Sequence, residues 1–274
     1  MPYSLQYGSD FHLKDNKTVA FEDLLKPVAL DLALCGDIGD PFSTIYGDFI
    51  QWCAKRWQRV FVIAGNHEYF TDDKKIGIYE TQSRIRTTCL AAGSNVHFLQ
   101  KEVHLIEEEG IAVIGTTMWS VPDLRHWDKL CDSFIGTPGS RGEYNAIFMP
   151  DEYTGVSRPM HPSDITRISI EQSTWIRKTL RELEERGWRV IVLTHYLPTH
   201  DLNDARFTNH SLRSCYAVEM KDLFTKPVVA WICGHSHTAR KLHYNTGVDV
   251  MLNPFGYKQD HGSNGYRANA THTV

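Results

Sequence analysis

Residues 30–40 of this 274-residue chain read LDLALCGDIGD, an apolar run that leads into a polar loop. Its first part, Leu30–Leu34, is mostly apolar, and the part that follows contains two glycines and two aspartates. A short apolar run that ends at glycine and polar turn residues is typical of a buried strand. The same pattern recurs at Ser4–Tyr7, Val60–Ile63, Val190–Leu193 and Val228–Cys233. We therefore expect five buried strands, each leading into a polar loop.

Segments with helical periodicity lie between these strands. The first begins with Ser43 or Thr44 as its N-cap. The second covers about residues 78–93 and stops at a glycine, and the third and clearest runs from about Ser163 to Arg186. Helices that alternate with buried strands indicate an α/β layered fold.

Two alternating runs, Val96–Leu105 and Ile111–Ile114, flank three glutamates and a glycine and predict a β-hairpin. The sheet system is therefore expected to be mixed rather than purely parallel. Because no repeat or Pro/Ser-rich linker divides the chain, we expect one domain over residues 1–274. It would carry a long loop insertion at about 119–162, functional or poorly ordered, and a polar, mobile tail at about 258–274.

Charge and composition argue against several classes of protein. The chain has 29 Lys+Arg against 33 Asp+Glu, a net charge of −4 and no basic run, which disfavours a nucleic-acid partner. Its apolar runs are too short to span a membrane, and its first residues do not resemble a secretory signal. The six cysteines form no CxxC pair, so we expect reduced thiols in the core and a cytoplasmic protein. The oligomeric state stays open.

Polar residues follow each predicted strand, and all are of types that bind metals or transfer protons. In chain order they are Asp10 and His12; Asp37 and Asp40; Asn66, His67 and Glu68; His195; and His235 and His237. Because ligands collect at the carboxyl ends of strands in α/β sheets, we expect these side chains to meet. Imidazole nitrogens with carboxylate and amide oxygens suit Mn, Fe, Co, Ni or Zn, and the lack of cysteine argues against a structural zinc site.

The spacing of these residues favours two ions. Residues i and i+2 of an extended segment point the same way, so Asp10 and His12 can address one ion together. His235 and His237 can reach two ions about 3.5–4 Å apart, and the two oxygens of Asp37 could bridge them. Glycines at positions 36, 65 and 234 allow the tight turns that such a site needs.

In these blocks the sequence resembles the calcineurin-like metallophosphoesterases, whose ordered signature is D-x-H, G-D-x-x-D, G-N-H-[DE], a lone H and G-H-x-H. All five blocks are present, at residues 10–12, 36–40, 65–68, 195 and 234–237. The resemblance runs from about Ser4 to Tyr257. It implies a four-layer α/β/β/α sandwich with two mixed sheets and a phosphoester hydrolase that uses two divalent ions, with manganese expected to serve best in vitro.

The resemblance also implies a role for each residue. One metal would be held by Asp10, His12, Asp37 and His237, and the second by Asp37, Asn66, His195 and His235. His67 would protonate the leaving group, and Asp40 would orient its ring. A hydroxide between the ions would attack phosphorus in line, and the net positive centre would attract the phosphate. Glu68 is expected to be structural.

Several activities fit such a site. We expect hydrolysis of small phosphomonoesters or phosphodiesters, cyclic nucleotides included. A protein phosphatase of this family normally has arginine after the G-D-x-x-D block, where this chain has Pro41. The acidic balance weighs against a nuclease. A non-catalytic scaffold would be expected to have lost ligands, yet all seven are present together with His67.

Overall fold

Two mixed β-sheets pack face to face in the structure, a computed structural model that describes residues 2–71, 75–126, 143–151, 154–204 and 212–274. The strands are β1 (Ser4–Gly8), β2 (Asp31–Cys35), β3 (Arg59–Ile63), β4 (Val96–Phe98), β5 (Glu102–Ile106), β6 (Ile111–Thr116), β7 (Phe148–Pro150), β8 (Ser157–Pro159), β9 (Arg189–Thr194), β10 (Val228–Cys233), β11 (Arg240–His243), β12 (Asp249–Leu252) and β13 (Thr271–Thr273). The helices are α1 (Phe21–Leu24), α2 (Thr44–Ala54), α3 (Ile78–Ala92), α4 (Glu143–Ala146) and α5 (Pro162–Glu185).

The first sheet has the order β13-β1-β2-β3-β4, and the second has the order β11-β12-β10-β9-β6-β5. The central strands of each sheet are parallel. The antiparallel strands are β13 in the first sheet and β5 and β11 in the second. Both sheets are therefore mixed, as the sequence predicts.

Alternation along the strands builds the four layers. One face of each sheet, with Ala33 and Phe61 from the first and Ile191 and Ile232 from the second, packs in a common core between the sheets. The opposite face of the first sheet packs on α2 and α3. The opposite face of the second packs on Ile176, Leu180 and Leu183 of α5. The predicted α/β/β/α sandwich is thus confirmed, and helix–sheet burial on both outer faces stabilises it.

The helices begin and end close to the predicted positions. Ser43 is the N-cap of α2 and has an extended backbone, although its side chain makes no capping hydrogen bond. Gly93 follows α3, and Gly187, with φ +76°, follows the end of α5. Among the described residues no helix is long and apolar enough to cross a membrane. The five described cysteines are all buried and free of disulfides, whereas Cys131 lies outside the described residues.

The predicted hairpin is correct only in its second half. The antiparallel pair β5–β6 joins Glu102 to Gly115, but Val96–Phe98 pairs with β3 in the other sheet. The chain crosses between the sheets at Lys101, whose φ of +56° turns the backbone. Because both strands alternate with period two, a single continuous pattern hides the crossing.

The two segments expected to be irregular contain ordered structure. The stretch 119–162 includes α4 and the two-stranded sheet β7–β8, with residues 127–142 and 152–153 outside the described residues. The tail is not a loose extension, because β13 pairs with β1 through Ser4 and Thr273. Its polar alternation reflects an edge strand with an exposed face, and the mobility of the tail stays a prediction.

Candidate metal centre

The five polar loops converge at one end of the two sheets. The polar residues lie one to five positions after the ends of β1, β2 and β3 in the first sheet and of β9 and β10 in the second. Three overlapping groups of side chains bring their ligand atoms within 4.8 Å of one another: Asp10, His12 and His237; His12, Asp37 and His67; and Asp37, His195 and His235. The loops that the sequence singles out therefore form one cluster.

The backbone of the cluster is held in unusual conformations. Asp10, His12, Asp37 and His235 have φ values of 55°, 42°, 53° and 69°, in the left-handed region that non-glycine residues rarely adopt. Such strain is typical of functional sites and needs a rigid surround. A Cβ on Gly65 would lie 2.1 Å from Asp37 Oδ1, so only glycine permits this approach.

One half of the cluster lies around His12 and His237. Their Nε2 atoms are 3.1 Å apart, and His237 Nε2 lies 3.6 Å from Asp10 Oδ1. His12 Nε2 is 3.9 Å from Asp37 Oδ2. These four residues are the ones that the family resemblance assigns to the first ion.

The other half lies around His195. Its Nε2 is 3.0 Å from Asn66 Oδ1 and 3.5 Å from Asp37 Oδ2, while its Nδ1 is 2.8 Å from the Cys35 carbonyl oxygen. His235 completes this half, since its ring lies 5.1 Å from that of His195. Asp37 belongs to both halves of the cluster.

The residues present fit a pair of divalent ions. His235 Nε2 is buried and has no hydrogen-bond partner among the described residues. A buried imidazole nitrogen without a partner is costly unless a ligand binds it. The donor set is imidazole, carboxylate and amide, and all of these suit borderline divalent metals.

Charge within the cluster divides the histidines into two classes. Burial lowers the pKa of His195 and of His237, but the neighbouring aspartates outweigh it and raise both to about 9. Burial dominates for His12 and His235, whose pKa falls to about 3. Burial would raise the pKa of Asp37, yet His195 and His67 hold it well below its usual range. Without metal, then, aspartates pair with protonated imidazoles.

Glu68 has the structural role that the sequence predicts. Its Oε1 accepts the amides of Ile38 at 2.7 Å and Gly39 at 3.4 Å, and its Oε2 accepts those of Asp37 at 3.0 Å and Gly65 at 2.7 Å. Burial and the Asp37 carboxylate raise the pKa of Glu68 to about 7. This buried side chain therefore ties the loop after β2 to the loop after β3.

His67 stands beside the cluster, with its Nε2 3.9 Å from Asp37 Oδ2. The ring of Phe70 stacks on it at 4.4 Å, and the Tyr257 hydroxyl lies 3.2 Å from its Nε2. Asp40 does not contact it through a hydrogen bond in the described structure, and instead accepts the Phe42 amide at 2.9 Å in the turn before α2. The orienting role of Asp40 stays a prediction.

A cavity of about 230 Å³ opens beside the cluster. Its lining includes three predicted site residues, His12, Asp40 and His67. The complete lining is His12, Lys14, Asp15, Gly39, Asp40, His67 and Phe70. His12 and His67 thus belong both to the cavity wall and to the ligand cluster.

Two polar residues of the site were not among the sequence predictions. Tyr257 stacks on His12 with ring centroids 4.3 Å apart, and Asp260 Oδ2 lies 2.9 Å from His237 Nδ1. Both follow β12, which is parallel to β10 and ends at the same edge of the sheet. The signal that could have pointed to these two residues is the strand Asp249–Leu252, which was not among the predicted strands.

Comparisons with known proteins give one sequence relative and two solved structures for this chain. The chain is 26% identical over 278 residues to an uncharacterized protein of Acanthamoeba polyphaga mimivirus, covering 93% of this chain and 92% of that one. Its fold is similar to that of the phosphopantetheinyl hydrolase of Mycobacterium tuberculosis, with a TM-score of 0.69, 19% identity and coverage of 100% and 96% of the two chains. A dimetal phosphatase of Danio rerio matches with a TM-score of 0.49 and 12% identity, over 92% and 87% of the chains.

The family comparison covers the whole cluster. The model of the calcineurin-like phosphoesterases matches residues 9–239, which include every predicted ligand from Asp10 to His237. The match spans most of the chain, from the end of β1 to the loop after β10. This chain therefore belongs to the calcineurin-like phosphoesterase family.

Proposed function

We propose that the chain hydrolyses small phosphoesters, monoesters or diesters, at a centre of two divalent metal ions. The observation that carries this proposal is that three groups of possible metal ligands overlap in one cluster, and two of them share the buried Asp37. Asp10, His12, Asp37 and His237 would hold one ion, and Asp37, Asn66, His195 and His235 the other. Bound divalent ions would make coordinated water acidic and stabilise negative charge on phosphoryl oxygens.

The chain's own residues supply the remaining steps. His67 would donate a proton to the departing oxygen, because it borders both the ligand cluster and the cavity. Phe70 and Tyr257 contact the ring of His67, and Asp40 would orient that ring. Asp37 and Asp10 would position the histidines of the two halves.

The test is hydrolysis of an aryl phosphomonoester and a bis-aryl phosphodiester side by side, with metal-stripped protein reloaded with Mn²⁺. We expect metal-dependent turnover of at least one, and its loss in Asp37→Asn. Asp222→Asn is the matched control, because this exposed carboxylate pairs with Arg177 on the outer face of the second sheet. Faster diester cleavage would identify a phosphodiesterase and faster monoester cleavage a phosphatase.

Two outcomes would contradict the proposal. If the protein binds two metals and cleaves neither ester, nor any phosphoprotein, the non-catalytic scaffold is the better interpretation. Turnover of phosphoproteins alone would favour a protein phosphatase.

Buried free thiols are typical of reducing compartments, and on that ground we propose that the enzyme is cytoplasmic.

A further inference from the structure

The segment after β12 returns along the first ligand loop. Ser9 donates its amide to the Asn253 carbonyl at 3.2 Å, and the amides of Phe255 and Gly256 bond the carbonyls of Ser9 and Asp10 at 2.9 Å each. The segment is therefore fixed to the loop that carries Asp10. It then turns at Gly256, whose φ is +81°.

This turn places Asp260 against His237. Asp260 donates its amide to the Tyr257 carbonyl at 2.8 Å, and its Oδ2 accepts the Tyr257 amide at 2.9 Å. A Cβ on Gly256 would lie 2.9 Å from Asp260 Oδ2, so the carboxylate is tightly enclosed. The same oxygen lies 2.9 Å from His237 Nδ1. The side chains of Asp260 and His237 are only 21% and 18% exposed.

The hydrogen bond decides which nitrogen of His237 can bind metal. A carboxylate accepts only, so the Nδ1 atom of His237 carries a hydrogen, and Nε2 is the nitrogen whose lone pair becomes available to a metal when the ring is neutral. Nε2 is the atom that faces Asp10 and His12. His195 uses the same device with the Cys35 carbonyl as acceptor, but a charged acceptor makes the imidazole a stronger ligand.

We propose that Asp260 is a positioning residue of the metal centre, which sets the affinity of the ion held by Asp10, His12, Asp37 and His237 through its hydrogen bond to His237. This proposal rests on the proposed function only in assuming that the cluster binds metal. It predicts that loss of the carboxylate weakens one metal position and leaves the position at His195 and His235 unchanged.

The experiment titrates metal-stripped full-length protein with Mn²⁺ and follows free Mn²⁺ by its electron paramagnetic resonance signal. In Asp260→Asn we expect one of two dissociation constants to rise about 10- to 100-fold, with the second within threefold of the wild-type value. Asp260→Glu keeps the charge and should lie closer to the wild type. Asp222→Asn, a remote carboxylate paired with Arg177, should bind as the wild type does.

Thermal unfolding of the metal-free variants separates positioning from folding. An unchanged midpoint in Asp260→Asn, with one weakened site, supports the proposal. Equal dissociation constants in the variant and the wild type would overturn it, as would an equal loss at both sites. Wild-type protein that binds two Mn²⁺ ions but hydrolyses no ester would refute the proposed function alone. Wild-type protein that binds no Mn²⁺ would refute both.

Discussion

Glu68 is the single residue on which the geometry of the ligand loops most depends. Its two oxygens accept four backbone amides from two loops, and the side chain is 1% exposed. A carboxylate is suited to this position because it accepts on both oxygens and donates on neither. The residue therefore holds the strained backbone at Asp37 in place.

Glu68→Gln should destabilise the fold and loosen the centre. The amide group of glutamine would face two backbone N–H groups and leave them unpaired, at a cost of about 1–3 kcal/mol. We expect a lower free energy of unfolding in denaturant and weaker metal binding. Glu107→Gln, in the exposed turn before β6, is the control and should change neither. A variant as stable as the wild type would show that the four hydrogen bonds are not required.

Tyr257→Phe should slow hydrolysis most for esters with poor leaving groups. The hydroxyl contacts His67 Nε2 at 3.2 Å, and loss of one hydrogen bond of about 0.5–1.5 kcal/mol corresponds to about a 2- to 10-fold lower kcat. Aryl esters, whose leaving groups need little protonation, should be nearly unaffected. Tyr79→Phe, an exposed residue on α3, is the control. Equal slowing of aryl and alkyl esters would argue against a link to proton donation.

At the scale of elements, strand ends were predictable and paths between strands were not. The run Leu30–Leu34 predicts both β2 and the loop with Asp37, because a buried strand must end where polar residues begin. The run Val96–Leu105 misleads, because alternation of apolar and polar residues does not indicate which of the two sheets a strand joins. Asp260 reaches His237 only through the turn at Gly256, and no spacing in the sequence encodes that approach.

The edge strands β4 and β5 meet through a pair of histidines, and the pair makes the contact between sheets sensitive to pH. The rings of His97 and His104 are 4.1 Å apart, beside Phe61. Burial, His104 and Arg59 lower the pKa of His97 to about 4, and burial and Arg59 lower that of His104, against the effect of Asp31 and Glu108. A histidine whose pKa is lower in the folded than in the unfolded protein favours folding at pH values above its unfolded pKa of about 6.5.

The free energy of unfolding should therefore fall as the pH decreases from about 6.5 towards 4, because over this interval the unfolded chain takes up protons on these rings and the folded protein does not. His97→Phe keeps an aromatic ring and removes one titrating group, so its melting temperature should fall less over this interval. His126→Gln, an exposed histidine, is the control. Thermal melts at pH 7 and pH 5 make the comparison. Identical losses in the wild type and His97→Phe would exclude a contribution from this contact.

At the scale of the whole molecule, the sandwich joins two sets of ligands that neither sheet provides alone. The first sheet contributes Asp10, His12, Asp37 and Asn66, and the second contributes three histidines. The fold class and these residues were predictable because the motif blocks follow buried strands. We propose that the chain is one domain, since cores on both sides of the two sheets span residues from Tyr3 to Ala270.

Metal binding should release protons and depend on pH. The aspartates raise the pKa of His195 and His237 to about 9, so both rings are protonated at pH 7.5 before metal binds. Their stabilisation of the metal-free fold is complete below about pH 6.5 and is lost as the pH rises through 9. Mn²⁺ affinity should rise over the same interval, because a ligand imidazole is neutral. Calorimetry in buffers of different ionisation enthalpy should give about two protons per loaded centre. Binding without proton release would contradict this charge arrangement.

Asp37 would join two metal positions in one centre, and elemental analysis of the metal content can show whether it does. Metal-stripped protein would be loaded with Mn²⁺, freed of excess metal and measured beside Asp37→Asn and the control Asp222→Asn. We predict two ions per chain in the wild type and the control, and fewer than one in Asp37→Asn, because this residue would serve both ions. A wild-type protein with one ion or none, or an Asp37→Asn protein that retains two, would contradict it.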